Sequence, residues 1–141
     1  MREILFRGKR EDNGEWVEGV PFFEDKRGYM IHDLFICDEY NCTGADNTEI
    51  LPATVRQYTG LTDKNGKKIF EGDVVAGALH WLEQNKNGVV TFRDGSFGLL
   101  WYRGEAEQFN PFTSMCNITY EVIGNIHDNP ELLKGGAVRK W

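Results

Sequence analysis

Apolar residues along this chain come in short bursts, each closed by a Gly-, Asn- or Asp-rich break, a spacing that predicts strands joined by tight turns. The clearest stretch runs from Gln57 to Val75, QYTGLTDKNGKKIFEGDVV. In it Lys64-Asn65-Gly66-Lys67 forms the turn, because Asn and Gly accept the positive φ angles of a hairpin. Ile69 and Phe70 resume the strand. Gly72-Asp73 then redirects the chain, with Gly free to take positive φ and Asp able to hold nearby backbone N–H groups. Val74-Val75 open the next strand.

Upstream, Ile4-Leu5-Phe6 begin a strand, Asp12-Asn13-Gly14-Glu15 turn it, and Trp16 to Phe23 continue it. Trp16 to Val20 do not alternate cleanly, so either face of that strand remains a candidate for burial. Asp25-Lys26-Arg27-Gly28 is a further turn into Tyr29–Ile36, and three such strands predict an antiparallel meander. Residues 38–49, DEYNCTGADNTE, read as a surface loop, and Pro52 marks a strand start or a sheet edge. After Val75 come Ala76–Leu82, a polar turn ending at Gly88, the strand Gly88–Phe92, the turn Arg93-Asp94-Gly95-Ser96 and the return strand Phe97–Tyr102. Glu105–Phe109 has a short helix as its candidate element, which Pro111 would end or block. Tyr120–Ile126 is the last strand. Asn129-Pro130-Glu131-Leu132-Leu133 reads as one helical turn, with Asn129 as N-cap and Pro130 first in the helix. Gly135-Gly136 stops it, and Ala137–Trp141 is expected to be a mobile tail. The sum is about eight strands and few helical residues: a mainly β, small antiparallel barrel-like fold with a short C-terminal helical turn.

Composition narrows the classes. The 141 residues fit a single domain, 1–141, able to bury a core without disulfides or metal. The net charge of −6 lies wholly in residues 1–50, where twelve Asp/Glu face six Lys/Arg. That disfavours non-specific nucleic-acid binding, which needs clustered cations to displace counterions. Three cysteines, an odd count, and a polar start, MREILFRGKR, point to a reducing cytoplasm. No apolar run approaches the roughly 20 residues a spanning helix needs, so no membrane is expected.

Candidate chemistry is sparse. His-Asp occurs at His32-Asp33 and His127-Asp128, with His80 the remaining histidine, too few converging ligands for a metal-dependent hydrolase. Asp128 is better read as part of the turn before Pro130. Cys37 and Cys42 would be half a zinc site whose other half is missing, since Cys116 stands alone. Asp38, Asp46 and Glu49 lack the alternating carboxylates and central Gly of a calcium loop. Arg7, Lys9 and Arg10 near Trp16 form a candidate basic-aromatic patch for single-stranded nucleic acid, but Glu11, Asp12, Glu15 and Glu18 crowd the same hairpin. Gln57 and Tyr58 are expected to be structural, and Asp73 to cap backbone donors in its turn. No Gly-x-Ser-x-Gly, phosphate loop or dinucleotide fingerprint is present, and no catalytic, cofactor or metal residue is assigned.

Three segments carry a resemblance: Gln57–Val75; the opening REILFRGKREDNGEWVEG with Arg7-Gly8-Lys9 and Trp16; and Tyr120–Leu133, YEVIGNIHDNPELL. Together they resemble the signature of the YopX-like family of phage and prophage proteins, with about residues 76–119 corresponding to the family's variable middle. The resemblance implies a mainly β fold with some likeness to SH3-type barrels, coding by a phage or integrated prophage, and a protein made in the bacterial host cytoplasm. It brings no catalytic residue and no cofactor, because the family has no established activity. His127 departs from it, an aromatic such as Tyr being more usual there. The reading that follows is a non-enzymatic module that binds a protein partner or itself, with nucleic-acid binding as the alternative and a metal-dependent hydrolase as a more distant one.

Overall fold

A computed structural model describes residues 3–24, 33–37, 48–76, 87–112 and 120–133, and in it the apolar bursts become strands. Those described are β1 (Phe6–Lys9), β2 (Trp16–Glu24), β3 (Asp33–Cys37), β4 (Thr48–Glu49), β5 (Arg56–Thr62), β6 (Lys68–Phe70), β7 (Asp73–Ala76), β8 (Gly88–Arg93), β9 (Ser96–Arg103), β10 (Ala106–Pro111) and β11 (Glu121–Asn125). The only helical elements among the described residues are 3-10 turns at Pro52–Thr54 and Pro130–Leu133. The chain is mainly β and antiparallel, as its spacing predicts. It divides into two compact units, Met1–Tyr58 and Thr59–Trp141, with the boundary inside β5.

In the first unit the strand order is β4-β3-β2-β1-β5. The β1–β2 hairpin runs in the register Phe6↔Gly19 to Lys9↔Trp16, and Arg7 of β1 lies opposite Arg56 of β5 on its other side. The buried face of β2, left open by the sequence, is that of Val17, which packs with Val55 on the fully buried Ile50. Pro52 opens a 3-10 turn and not a strand: its fixed φ suits the first helical position. The Thr54 hydroxyl donates to the Leu51 carbonyl at 2.6 Å and accepts the Lys9 N–H at 2.9 Å, closing that turn onto β1.

The second unit holds the β5–β6 hairpin and a five-stranded sheet ordered β10-β9-β8-β7-β11. Three apolar doublets, Val74-Val75, Val89-Val90 and Leu99-Leu100, are buried at both positions. Successive strand residues point to opposite faces, so both faces of this sheet are covered, which is less usual for an antiparallel sheet. Val75, Val90, Leu99, Trp101 and Val122 pack with Ile69 on one face. Val74, Val89 and Leu100 pack with Tyr102, Phe109, Ile126 and Leu132 on the other. The registers Val89↔Leu100, Val90↔Leu99 and Leu100↔Phe109 keep each face consistent from strand to strand.

Among the described residues the sheet stays open, so barrel-like describes the fold only loosely. Its edges are β10 and β11. Closure requires the outer strands to find each other, whereas the outward side of β11 is taken by the β5–β6 turn. Lys64 N–H donates to the Tyr120 carbonyl there, and Val122 N–H to the Asp63 carboxylate, both at 2.9 Å. Glu105–Phe109 is no helix either: Ala106–Pro111 forms β10, paired residue by residue with β9. Long-range pairing overrides a weak local preference, and Pro111 sits at the end of an edge strand where its missing N–H is tolerated. Thr48-Glu49, placed in the surface loop by the sequence, forms the short β4 against β3. The predicted turn at 25–28, the start of the strand at 29–32, the segment 77–86 and the tail from 134 lie outside the described residues.

Candidate functional site

Two arrangements bring polar residues of the sequence motifs together. The first is the turn between β5 and β6. Asp63, only 2% exposed, accepts N–H groups from Asn65 and Lys67 through Oδ1, each at 2.9 Å, and from Val122 through Oδ2 at 2.9 Å. Burial alone would raise this carboxyl, but the donors of Val122, Lys67 and Asn65, helped by the Lys67 charge, hold it below the usual aspartate range. One side chain therefore shapes the turn and fastens it to β11. The Asp63-to-Asn65 link is an Asx turn readable from the sequence spacing, whereas the bond to Val122 is not, because it joins distant segments.

Asp73 does in its own turn what the sequence assigns it: the buried carboxylate accepts the Phe70 N–H at 2.8 Å. Beside it Gly72, at φ 87°, donates to the Val90 carbonyl and accepts the Ile126 N–H, joining the turn to β8 and to the end of β11. The Thr59 hydroxyl donates to the Ile69 carbonyl at 2.7 Å. Tyr58 is buried, in keeping with a structural role.

After β11 the chain is held by Asn125, whose Oδ1 accepts the N–H groups of His127 and Asp128 and whose Nδ2 donates to the Asp128 carboxylate. Asp128 thus belongs to the turn. Asn129 reaches back, its Oδ1 accepting the Asn125 N–H at 3.3 Å, where the sequence placed it as the cap of the following turn.

The second arrangement lies in the first unit. Arg7 and Lys9 alternate onto one face of β1, with Trp16 opposite Lys9. The Arg7 guanidinium sits 4.6 Å from the Trp16 ring centre, and the Lys9 ammonium 5.7 Å from it. Arg56, which the sequence reading missed because only β1–β5 pairing reveals it, shares that face, as does Glu18 opposite Arg7. Arg10 does not join: it turns to Asp12 with two hydrogen bonds of 2.9 and 2.8 Å and holds that carboxyl below its ordinary value. Arg7 itself is buried, so the stacked pair packs as much as it displays charge.

His32, His80, Cys42, Cys116, Asp38 and Asp46 lie outside the described residues, and of Asp33 and Cys37 only the backbone, in β3, is described. Glu49 lies in β4. Among the described residues no group of three or more His, Cys, Asp or Glu is placed so that it could hold a metal ion, and no helix is long and apolar enough to cross a membrane.

Comparison with known proteins places these motifs. The chain matches the family described as YopX protein over residues 5–134. It is also similar to the crystal structure of protein EF1440 from Enterococcus faecalis, with 26% identity, 95% of this chain and 100% of that chain covered, and a TM-score of 0.57. No curated protein matches it.

Proposed function

Because the chain belongs to the YopX protein family, we propose that it is a phage- or prophage-encoded, non-enzymatic module that acts in the bacterial host cytoplasm by binding a protein partner or a second copy of itself. The observation that carries this reading is the use made of the motif carboxylates. Asp63 holds three backbone N–H groups and Asp73 a fourth, so the residues that mark the family build the sheet and its turns. What such a scaffold offers a partner is its surface. Among the described strands β10 has a neighbour on one side only, and an outer strand of this kind is where strand addition would take place. Light scattering on the eluting protein, with pull-down from infected host cells, tests the proposal. A complex or an oligomer is expected, and a strict monomer that retrieves no partner overturns it.

One observation favours a second reading. Arg7, Lys9 and Arg56 share a face with Trp16, the combination on which single-stranded nucleic acid stacks. Binding of this kind weakens steeply with added salt, and flat oligonucleotide titrations at low salt remove it.

A further inference from the structure

Asn is followed by Gly three times, at Asn13-Gly14, Asn65-Gly66 and Asn87-Gly88. This pair is chemically reactive. The Gly nitrogen, unshielded by a Cβ, attacks the Asn side-chain carbonyl carbon. A new C–N bond closes a succinimide as the Cγ–Nδ2 bond breaks and ammonia leaves, and water then opens the ring to aspartate or isoaspartate. No oxidant or reductant is involved.

The three pairs stand in different surroundings. Gly88 is buried in β8 opposite Val75, and the Asn87 amide donates to the Leu132 carbonyl at 3.0 Å, so ring closure there requires the sheet to open. Asn65 and Gly66 are exposed at the tip of the β5–β6 turn, and a Cβ on Gly66 would meet nothing within 4 Å. Two contacts must be released there, the Gly66 N–H bond to the Asp63 carbonyl at 3.0 Å and a long, exposed bond from the Asn65 amide, and neither requires the sheet to open. The consequence is particular to this site. The Asn65 amide donates to Glu121 at 3.4 Å, so a carboxylate made there faces the Glu121 carboxylate. Isoaspartate would also lengthen the main chain between the two N–H groups, of Asn65 and Lys67, that hold Asp63.

We infer that Asn65-Gly66 is a self-modification site, and that its conversion to aspartate or isoaspartate loosens the attachment of β11. Asn13 provides the comparison. It too is exposed in a turn, but its Oδ1 accepts only the Glu15 N–H, which a carboxylate oxygen also does.

The test incubates the full-length protein at physiological temperature and mildly alkaline pH and maps peptides by mass spectrometry, with enzymatic methylation reporting isoaspartate. A free peptide spanning Thr62–Lys68 sets the unhindered rate. Asn65 is expected to convert, more slowly than in the peptide, while Asn87 stays an amide. Asn65→Asp is expected to lower Tm by a few degrees, and Asn13→Asp to leave it unchanged. Asn65 remaining intact until the free peptide has fully converted, or Asn87 converting as fast as Asn65, overturns the assignment. An Asn65→Asp chain with the wild-type Tm overturns the link to β11.

Discussion

Replacing Asp63 isolates the contribution of one carboxylate that ties a turn to a strand. Asp63→Ala removes the acceptor of three N–H groups. The Val122 donor is buried, and leaving it without a partner costs about 1–3 kcal/mol. Asn65 and Lys67 are exposed, so water takes over much of their hydrogen bonding, and each adds about 0.5–1 kcal/mol. The total is about 2–5 kcal/mol, a large part of the stability of a chain this size. Asp63→Asn should lose a similar amount, because a side-chain NH2 then faces one of the three donors. Urea unfolding followed by tryptophan fluorescence measures it as a lower midpoint at unchanged slope. Glu121→Gln is the control: its ion pair with Lys64, 3.5 Å long and about half exposed, is worth about 0–1 kcal/mol. The same carboxyl makes stability depend on acid. Its pKa is depressed in the folded state, so its contribution is complete above the ordinary aspartate value of about 3.9 and is lost as pH falls below that value toward the folded one. Asp63→Asn should flatten that limb. An Asp63→Ala chain that unfolds at the wild-type midpoint would refute the reasoning.

Other substitutions separate close approach, backbone conformation and packing. In Gly98→Ala the new Cβ would stand 2.5 Å from the Asn110 carbonyl and 2.6 Å from the Phe109 ring, forcing β10 away from β9, so thermal unfolding should show a loss of about 1–3 kcal/mol or more. Gly72→Ala places a side chain at φ 87° and should cost about 1–2 kcal/mol by urea unfolding. Leu99→Ala opens the face shared with Ile69 and Trp101, with an expected loss of about 2–5 kcal/mol by calorimetry. Trp16→Ala removes the ring beneath Arg7 and should cost about 0.5–1 kcal/mol in cation–π attraction, beyond the area it uncovers, read against Trp16→Phe in the same unfolding assay.

What was legible in the sequence was whatever local chemistry decides. The turns at Asp12–Glu15, Lys64–Lys67 and Arg93–Ser96 stand where Asn-Gly and Asp-Gly steps place them, and Asp73 caps the donor beside it. Distant pairing was illegible. Nothing in Ala106–Pro111 by itself announces a strand, since its partner β9 supplies the order. Likewise nothing in Asp63 names Val122, and nothing in Arg7 names Arg56, because each pair meets only once the sheet has formed. The buried doublets show the same limit. Val74-Val75 reads as a strand, but that both faces are covered depends on what packs above and below.

The claim beneath this account is that the motif carboxylates are fasteners of the backbone. Following the Asp63 carboxyl carbon by NMR as the protein is acidified tests it at the atom concerned. The account predicts a titration midpoint below the ordinary aspartate value, with the Val122 amide signal shifting in step. A midpoint at or above that value, or a Val122 amide that does not respond, would contradict it.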